Sequence, residues 1–250
     1  MAAYTRTESK EVSGLPGSDP LSTWQGLITV DGPNQATLQR SQYVVPDKVI
    51  ASVSYFFPFE TMHGKGLHAS LFYTGMTPYG NSYCYTNDMN GDGINNDLMY
   101  IPKDETEISF VSQADSDAFW KYVDQDKYLK NHKGEYAEAY AARAPWVHRF
   151  DLQWLQNFRF NIGQTTHTIQ LSVNVMNIGN MLNSSWGIAK TSSVCSNGTR
   201  ILKYEGKDEN NVPKFSMWKD SNGEYAAQSY DYNYNYDQCW KLQFGVRYIF

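Results

Sequence analysis

The chain has 250 residues, of which 15% are aromatic and only 19% charged, and its formal net charge is −5. The length suits a single β domain, and the acidic balance argues against nucleic acid as a partner. Mean hydropathy is −0.56, and no apolar run approaches the ~20 residues that a membrane-spanning helix needs.

In chain order, residues 2–11 read as the end of a strand entering a loop. Residues 12–47 carry Gly14, Pro16, Gly17, Asp19, Pro20, Gly32 and Pro33, the composition of a long irregular connection. A strand is expected over 48–58, with Val49, Ala51, Val53, Tyr55 and Phe57 on one face. A short turn from Pro58 to Gly66 leads to a strand over 66–76, where Leu67, Ala69, Leu71 and Tyr73 oppose His68, Ser70 and Thr74. A second long excursion covers 76–144. It includes a short helix within 115–129, because Phe119, Tyr122 and Val123 fall at i, i+3 and i+4. A hairpin follows. Over 146–160, Phe150, Leu152, Trp154, Phe158 and Phe160 face away from Arg149, Asp151, Gln153, Asn157 and Arg159. The turn is Asn161 to Gln164. Over 165–177, Ile169, Leu171, Val173 and Val175 face away from Thr168, Gln170, Ser172 and Asn174. A third excursion, 177–237, holds a small hairpin of Arg200–Tyr204 against Pro213–Trp218. The last strand, 238–250, alternates Trp240, Leu242, Phe244, Val246, Tyr248 and Phe250 with Lys241, Gln243, Gly245, Arg247 and Ile249.

Period two makes strands with two unlike faces, and a soluble sandwich can produce that pattern. Other features favour a membrane barrel. Aromatics sit at both ends of the apolar face, and the terminal run matches the ~9–11 residues of a tilted spanning strand. The connections also run long, short, long, short, long, which is the loop asymmetry of outer-membrane barrels. The expected fold is all-β, an antiparallel transmembrane β-barrel segment of about six strands with long extracellular loops. Its expected location is the cell outer membrane, with outer-membrane lipid and the barrel assembly machinery as partners. Phe250, an aromatic final residue on an alternating strand, resembles the carboxy-terminal assembly signal of bacterial outer-membrane barrels. The amino terminus has no apolar segment of a signal peptide, so the chain is expected to belong to something longer.

Several segments resemble the carboxy-terminal part of TonB-dependent outer-membrane receptors, nearest the Oar-like branch that begins with a carboxypeptidase-regulatory-like domain. They are Val45-Pro-Asp-Lys-Val-Ile-Ala-Ser-Val-Ser-Tyr55, Asp88-Met-Asn-Gly-Asp-Gly-Ile-Asn-Asn-Asp-Leu-Met-Tyr-Ile-Pro102, His148-Arg-Phe-Asp-Leu152, Val173-Asn-Val-Met-Asn-Ile-Gly-Asn-Met-Leu-Asn183 and the terminal strand. The resemblance implies the last six strands of a barrel of about twenty-two. It implies a receptor taking up a nutrient such as an oligosaccharide, a peptide or a metal chelate, with TonB reached only through a plug region upstream of these residues.

Asp88, Asn90 and Asp92 occupy positions 1, 3 and 5 of a calcium-loop pattern, with Gly93 at position 6. Position 12 is Met99 where a Glu is wanted, and Asp97 could substitute from position 10. The alternative is an Asx-rich loop closed by its own hydrogen bonds. Beyond possible calcium, no cofactor is expected. Arg149, Asp151, Gln153 and Arg159 face the lumen in the barrel reading and could line a solute path, although any barrel wall needs a polar inner face. The segment Tyr230-Asp-Tyr-Asn-Tyr-Asn-Tyr236 could stack on a sugar or peptide, or simply extend a loop hairpin above the membrane or form an aromatic girdle. His63, His68, His132, His148 and His167 do not fall at ligand spacing, and no nucleophile–base motif or phosphate loop is present, so catalysis is not expected. Cys195 and Cys239 could pair across a loop or remain thiols, and Cys84 completes the set. Two rival readings are an outer-membrane adhesive or binding protein without transport, and a soluble calcium-dependent β-sandwich lectin.

Overall fold

Six strands make the main sheet of the computed structural model, which describes residues 1–14, 17–60, 64–78, 80–194 and 199–250. They are β1 (Ala2–Arg6), β2 (Asp47–Glu60), β3 (Gly64–Met76), β4 (Val147–Ile162), β5 (Thr165–Met176) and β6 (Lys241–Ile249). Their order in the sheet is their order in the chain, and every neighbouring pair is antiparallel. The sheet is open, with β1 and β6 at its edges. Among the described residues, no helix is long and apolar enough to cross a membrane.

Several boundaries differ from the sequence expectation. The first strand stops at Arg6 rather than running to residue 11, and Lys10–Glu11 pairs instead with Gln39–Arg40 in a separate small sheet. Pro58 lies inside β2, not in a turn. It sits past the last β1 partner, Ala51, and where the ladder to β3 is irregular, so no regular ladder bond needs the N–H it lacks. The β4–β5 turn is tighter than Asn161–Gln164. Ile162 pairs with Thr165, leaving Gly163 and Gln164 as a two-residue loop. Gly163 supplies the left-handed φ of 63° that such a loop requires.

The registers place the alternating residues on two continuous faces. Val53, Leu71, Leu152, Val175 and Leu242 stand directly opposite one another from strand to strand. The adjacent row is Tyr55, Ala69, Trp154, Val173 and Phe244. On the other face, Ser54, Ser70, Gln153, Asn174 and Gln243 form the matching row. Among the described residues, no other layer covers either face. Val53 and Phe244 are 70% and 72% exposed, and Val147 is the only buried apolar side chain of the six strands among the described residues.

The buried core lies elsewhere. The three long connections, of which only the first was expected as wholly irregular, leave the same end of the sheet and fold together into a cap. Its centre is a four-stranded mixed sheet of Tyr83–Tyr85, Thr199–Lys207, Pro213–Met217 and Ser109–Phe110, in which the expected hairpin pairs Leu202 with Met217. The expected helix is present as two, Gln113–Gln125 and Lys127–Asn131. Phe119, Tyr122 and Val123 face the core as their spacing indicated, beside Tyr83, Met99, Ile101, Leu129, Ile201 and Leu202. Asp126 separates the helices: its extended backbone ends the first, and its carboxylate accepts Tyr128 N (2.8 Å) and Leu129 N (2.9 Å) to begin the second. Buried Asp115 accepts Met217 N at 3.0 Å, which ties the long helix to the sheet. The first connection is no plain loop either. It contains a helix, Pro20–Gln25, started by an Asp19–Ser22 capping box.

Phe119 is fully buried at the point where helix and sheet meet, so Phe119→Ala is expected to destabilise the cap by about 3–5 kcal/mol. Limited proteolysis should then open sites across 113–131 while cutting within β4 and β5 stays unchanged. A mutant with wild-type resistance in the helices would refute this account of the cap.

Candidate functional site

Three features of the fold can carry function: the polar face of the sheet, its apolar face, and the acidic loop in the cap. Arg149, Asp151, Gln153 and Arg159 all lie on the polar face, as the alternation required, opposite Thr74, Phe72, Ser70 and Thr168. Side-chain hydrogen bonds order this face. Gln153 Nε2 donates to Asn174 Oδ1 (3.0 Å) and Gln170 Nε2 to Asn157 Oδ1 (2.9 Å), while Ser54 and Ser70 share a hydroxyl contact of 2.8 Å. Arg149 pairs with Asp151 at 3.3 Å. The face is less uniformly polar than the alternation alone suggested, because Phe56, Phe72 and Leu155 also fall on it, opposite His68, Asp151 and Ser172.

On the apolar face, aromatic groups gather at both ends. Toward the cap, Tyr73 OH meets His148 Nδ1 at 2.7 Å, and His148 stacks with Trp146. Toward the short turns, Tyr248 OH meets His167 Nδ1 at 2.5 Å, with Phe160 stacked on His167 and Phe250 tilted against Tyr248. Phe250 is 84% exposed at the end of the edge strand β6. His148 and His167 thus belong to hydrogen-bonded aromatic clusters, and His63 lies outside the described residues.

The acidic loop is closed by its own side chains. Asp88 accepts Gly91 N and Gly93 N, each at 2.7 Å. Asn90 Oδ1 accepts Asp92 N, and Asp92 Oδ1 accepts Ile94 N, both at 2.9 Å. Asp97 is 2% exposed and takes three donors: Met89 N (2.6 Å), Asn90 N (3.2 Å) and Asn90 Nδ2 (2.8 Å). Gly91 and Gly93 adopt φ of 81° and 89°, which lets the main chain turn its N–H groups inward. The structure therefore brings Asp88, Asn90, Asp92 and Asp97 together as acceptors of main-chain N–H groups. Burial, with Asp92 and Asp88 nearby, raises the Asp97 carboxyl above its ordinary pKa. Among the described residues, no group of three or more His, Cys, Asp or Glu side chains is placed to hold a metal ion.

The aromatic segment divides. Tyr230–Tyr232 forms a strand with Lys190–Ser192, whereas Tyr234 and Tyr236 project at 63% and 80% exposure. Lys190 lies over Tyr232 and Lys241 over Tyr236. Cys84 is buried in the cap core and Cys239 is exposed, while Cys195, its suggested partner, lies outside the described residues.

One functional joint escaped the sequence reading. Asn177, wholly buried at the end of β5, takes φ 53° and donates its main-chain N–H to Asp151 Oδ1 at 2.6 Å. Its side-chain amide donates to Gly187 O (3.1 Å) and Gln238 O (2.8 Å). The only local signal was an Asn, one of the few residues that tolerates a left-handed backbone. Comparison with protein-family models, curated proteins and solved structures finds no match to the chain.

Because the loop is closed by N–H donors, its proteolysis between Gly91 and Asn95 is expected to be the same in calcium and in EDTA. Asp97→Ala strands two main-chain donors and should cost about 2–3 kcal/mol, exposing those bonds in either buffer. Protection by calcium alone would instead establish an ion site. The raised carboxyl also has a pH signature. A carboxyl whose folded pKa lies above its unfolded value favours folding at low pH, and that advantage is lost as pH rises through the folded pKa. Wild type should therefore gain stability relative to Asp97→Asn as pH is lowered, which denaturant titrations at several pH values can measure.

Proposed function

We propose that the chain is part of the wall of an outer-membrane β-barrel, the carboxy-terminal portion of a TonB-dependent receptor that takes up a nutrient such as an oligosaccharide, a peptide or a metal chelate. One observation carries the wall reading: five successive registers align a single apolar face, and no described part of the chain covers it. Left in water, such a face forgoes roughly 25 cal/mol for every Å² that could be buried. A bilayer supplies the missing cover.

The dimensions agree with this reading. Phe150 and Phe160 flank the apolar centre of β4, a span of about 33 Å along a strand rising ~3.3 Å per residue. At a tilt near 40° this projects to about 25 Å, the height of an outer-membrane apolar band. The aromatic clusters then fall at its two borders. The cap, joined to one end by the three long connections, takes the place of the extracellular loops, and the short turns lie on the periplasmic side. Six strands leave two edges unpaired, which lipid does not tolerate, so the wall is completed by strands from outside these residues.

The receptor assignment rests on the segment resemblance, and TonB is reached through a plug region not contained here. A sandwich lectin is disfavoured because it would bury one face of this sheet against a second layer. A surface binding protein without transport is the stronger rival, since the cap has its own core and presents Tyr234 and Tyr236 to solvent.

Leu152 sits in the middle of the apolar face and Gln153 directly behind it on the polar one. In the lipid-reconstituted receptor, Leu152→Arg should cost about 2–4 kcal/mol, whereas Gln153→Arg should be nearly neutral. Denaturant titration in vesicles compares the two. Equal costs, or the reverse order, would sink the assignment of faces.

A further inference from the structure

Charge is unevenly divided in this acidic chain. Only three of its 26 acidic residues, Asp47, Glu60 and Asp151, belong to the six long strands. On the polar face, Lys48, Arg149, Arg159, Lys241 and Arg247 stand against one described carboxylate, Asp151. Arg149 is neutralised by Asp151, and Lys241 lies 3.6 Å from Asp237 at the rim. Among the described residues, Lys48, Arg159 and Arg247 form no ion pair.

Two of these free cations flank β5. Arg247 of β6 stands opposite Gln170, and Gln170 stands opposite Asn157 of β4. Arg159 stands opposite Thr168, one row nearer the short turns. With strands ~4.8 Å apart, the two arginine backbones are on the order of 12 Å from each other, with the β5 side chains between them. A trough of about 390 Å³ opens beside Arg247, lined by Gln153, Leu155, Gln170, Ser172, Gly245 and Arg247, and Arg159 stands just beyond its Gln170 end. A Cβ at Gly245 would meet Ser172 Oγ, so a larger side chain there would project into the trough. The amides beside it are already oriented. Gln153 donates to Asn174 and Gln170 to Asn157, and each primary amide keeps a second N–H for a ligand.

We propose that this trough binds organic anions bearing two or more carboxylates. One carboxylate meets the Arg247 guanidinium, which matches its planar, two-oxygen geometry. A second reaches Arg159 across β5, with the Gln170 amide between the two arginines, while Leu155 and Gln153 line the trough on the far side of the Arg247 row. Cationic solutes are rejected by the same field. The inference rests on the wall reading, in which lipid covers the apolar face and leaves the polar face wet, and it specifies the class of solute that this face selects.

The test uses the complete receptor in detergent micelles and isothermal titration with tricarballylate, alongside its uncharged triamide. Tricarballylate is expected to bind, more weakly as salt is added, and the triamide is expected not to bind. Arg247→Gln and Arg159→Gln should each weaken binding about tenfold, the loss expected for one charge-assisted hydrogen-bonded contact. Gly245→Val should abolish binding with no change of charge, whereas Arg6→Gln, outside this face, should leave it intact. Equal binding of acid and triamide, unchanged affinity in both arginine variants, or no binding of tricarballylate would overturn the proposal. Protease protection of the apolar strands by detergent is read in the same samples. Protection without anion binding defeats the anion site alone, and loss of protection defeats the wall.

Discussion

The pairing register of the six-stranded sheet is the constraint on which everything else depends. Side chains alternate with period two, so a slip of one residue in any pairing would turn a row of leucines and valines onto the polar face. Only the short connections can set register by turn geometry, and Gly163–Gln164 does so for β4 and β5. The pairings joined through long connections need other pins. Tyr4 and Arg6 both reach Asp47 across β1 and β2, at 2.6 and 3.0 Å. Tyr73 and His148 lock β3 to β4, and His167 and Tyr248 lock β5 to β6. These contacts lie at the strand ends, where a slip would begin.

The sheet and the cap are stable for different reasons. The cap has a conventional core of aromatic and aliphatic side chains, with buried carboxylates that are fully engaged. Asp126, for instance, accepts Tyr83 OH (2.6 Å) and Ser229 Oγ (2.5 Å) besides its two helix N–H groups, and burial pushes the Tyr83 phenol upward in pKa. The sheet has ladder hydrogen bonds and no core of its own. Its apolar surface is an unmet demand that an outside medium must satisfy, and its polar surface is ordered by amide pairs that tolerate water. The two parts are also coupled through the chain. The cap gathers all three long connections, with Thr199 pairing beside Tyr83 and Arg40 reaching Glu138, so its assembly brings the ends of all six strands together.

Much of the sheet was legible in the sequence, because a strand whose faces meet different surroundings must alternate, and no other signal competes with that period. The apolar sets named on five strands coincide with the residues the registers align. The cap was legible only in part: the helix around Phe119 and the hairpin of Arg200–Tyr204 with Pro213–Trp218 were expected, and their assembly into a core was not. Tyr83–Tyr85 and Ser109–Phe110 are short, and two of the cap pairings are parallel and join segments more than a hundred residues apart. Such pairings leave no local pattern. Their surrounding Gly, Asn and Asp residues read correctly as turns but concealed the packed segments between them. Parity alone put Arg149, Asp151, Gln153 and Arg159 together on the polar face, yet parity missed Phe56, Phe72 and Leu155, whose apolar character interrupts that face.

Asn177 shows how the two parts are joined, and why its identity matters. The chain must leave β5 by a left-handed residue, which costs an ordinary side chain roughly 1 kcal/mol or more and is tolerated best by Gly, Asn and Asp. Gly would satisfy the backbone but leave Gly187 O and Gln238 O without the donors that now reach them. Asp would place acceptors where donors are needed, opposite carbonyl oxygens and close to Asp151. Asn alone meets both demands. Gly187 reciprocates: its φ is 65°, and a Cβ there would strike the Asn177 amide. The Asp151 carboxylate closes the arrangement from the neighbouring strand, so the polar face and the cap share one acceptor. A group that lines the face also holds the cap in place, and the geometry at the mouth of the sheet follows from that shared bond.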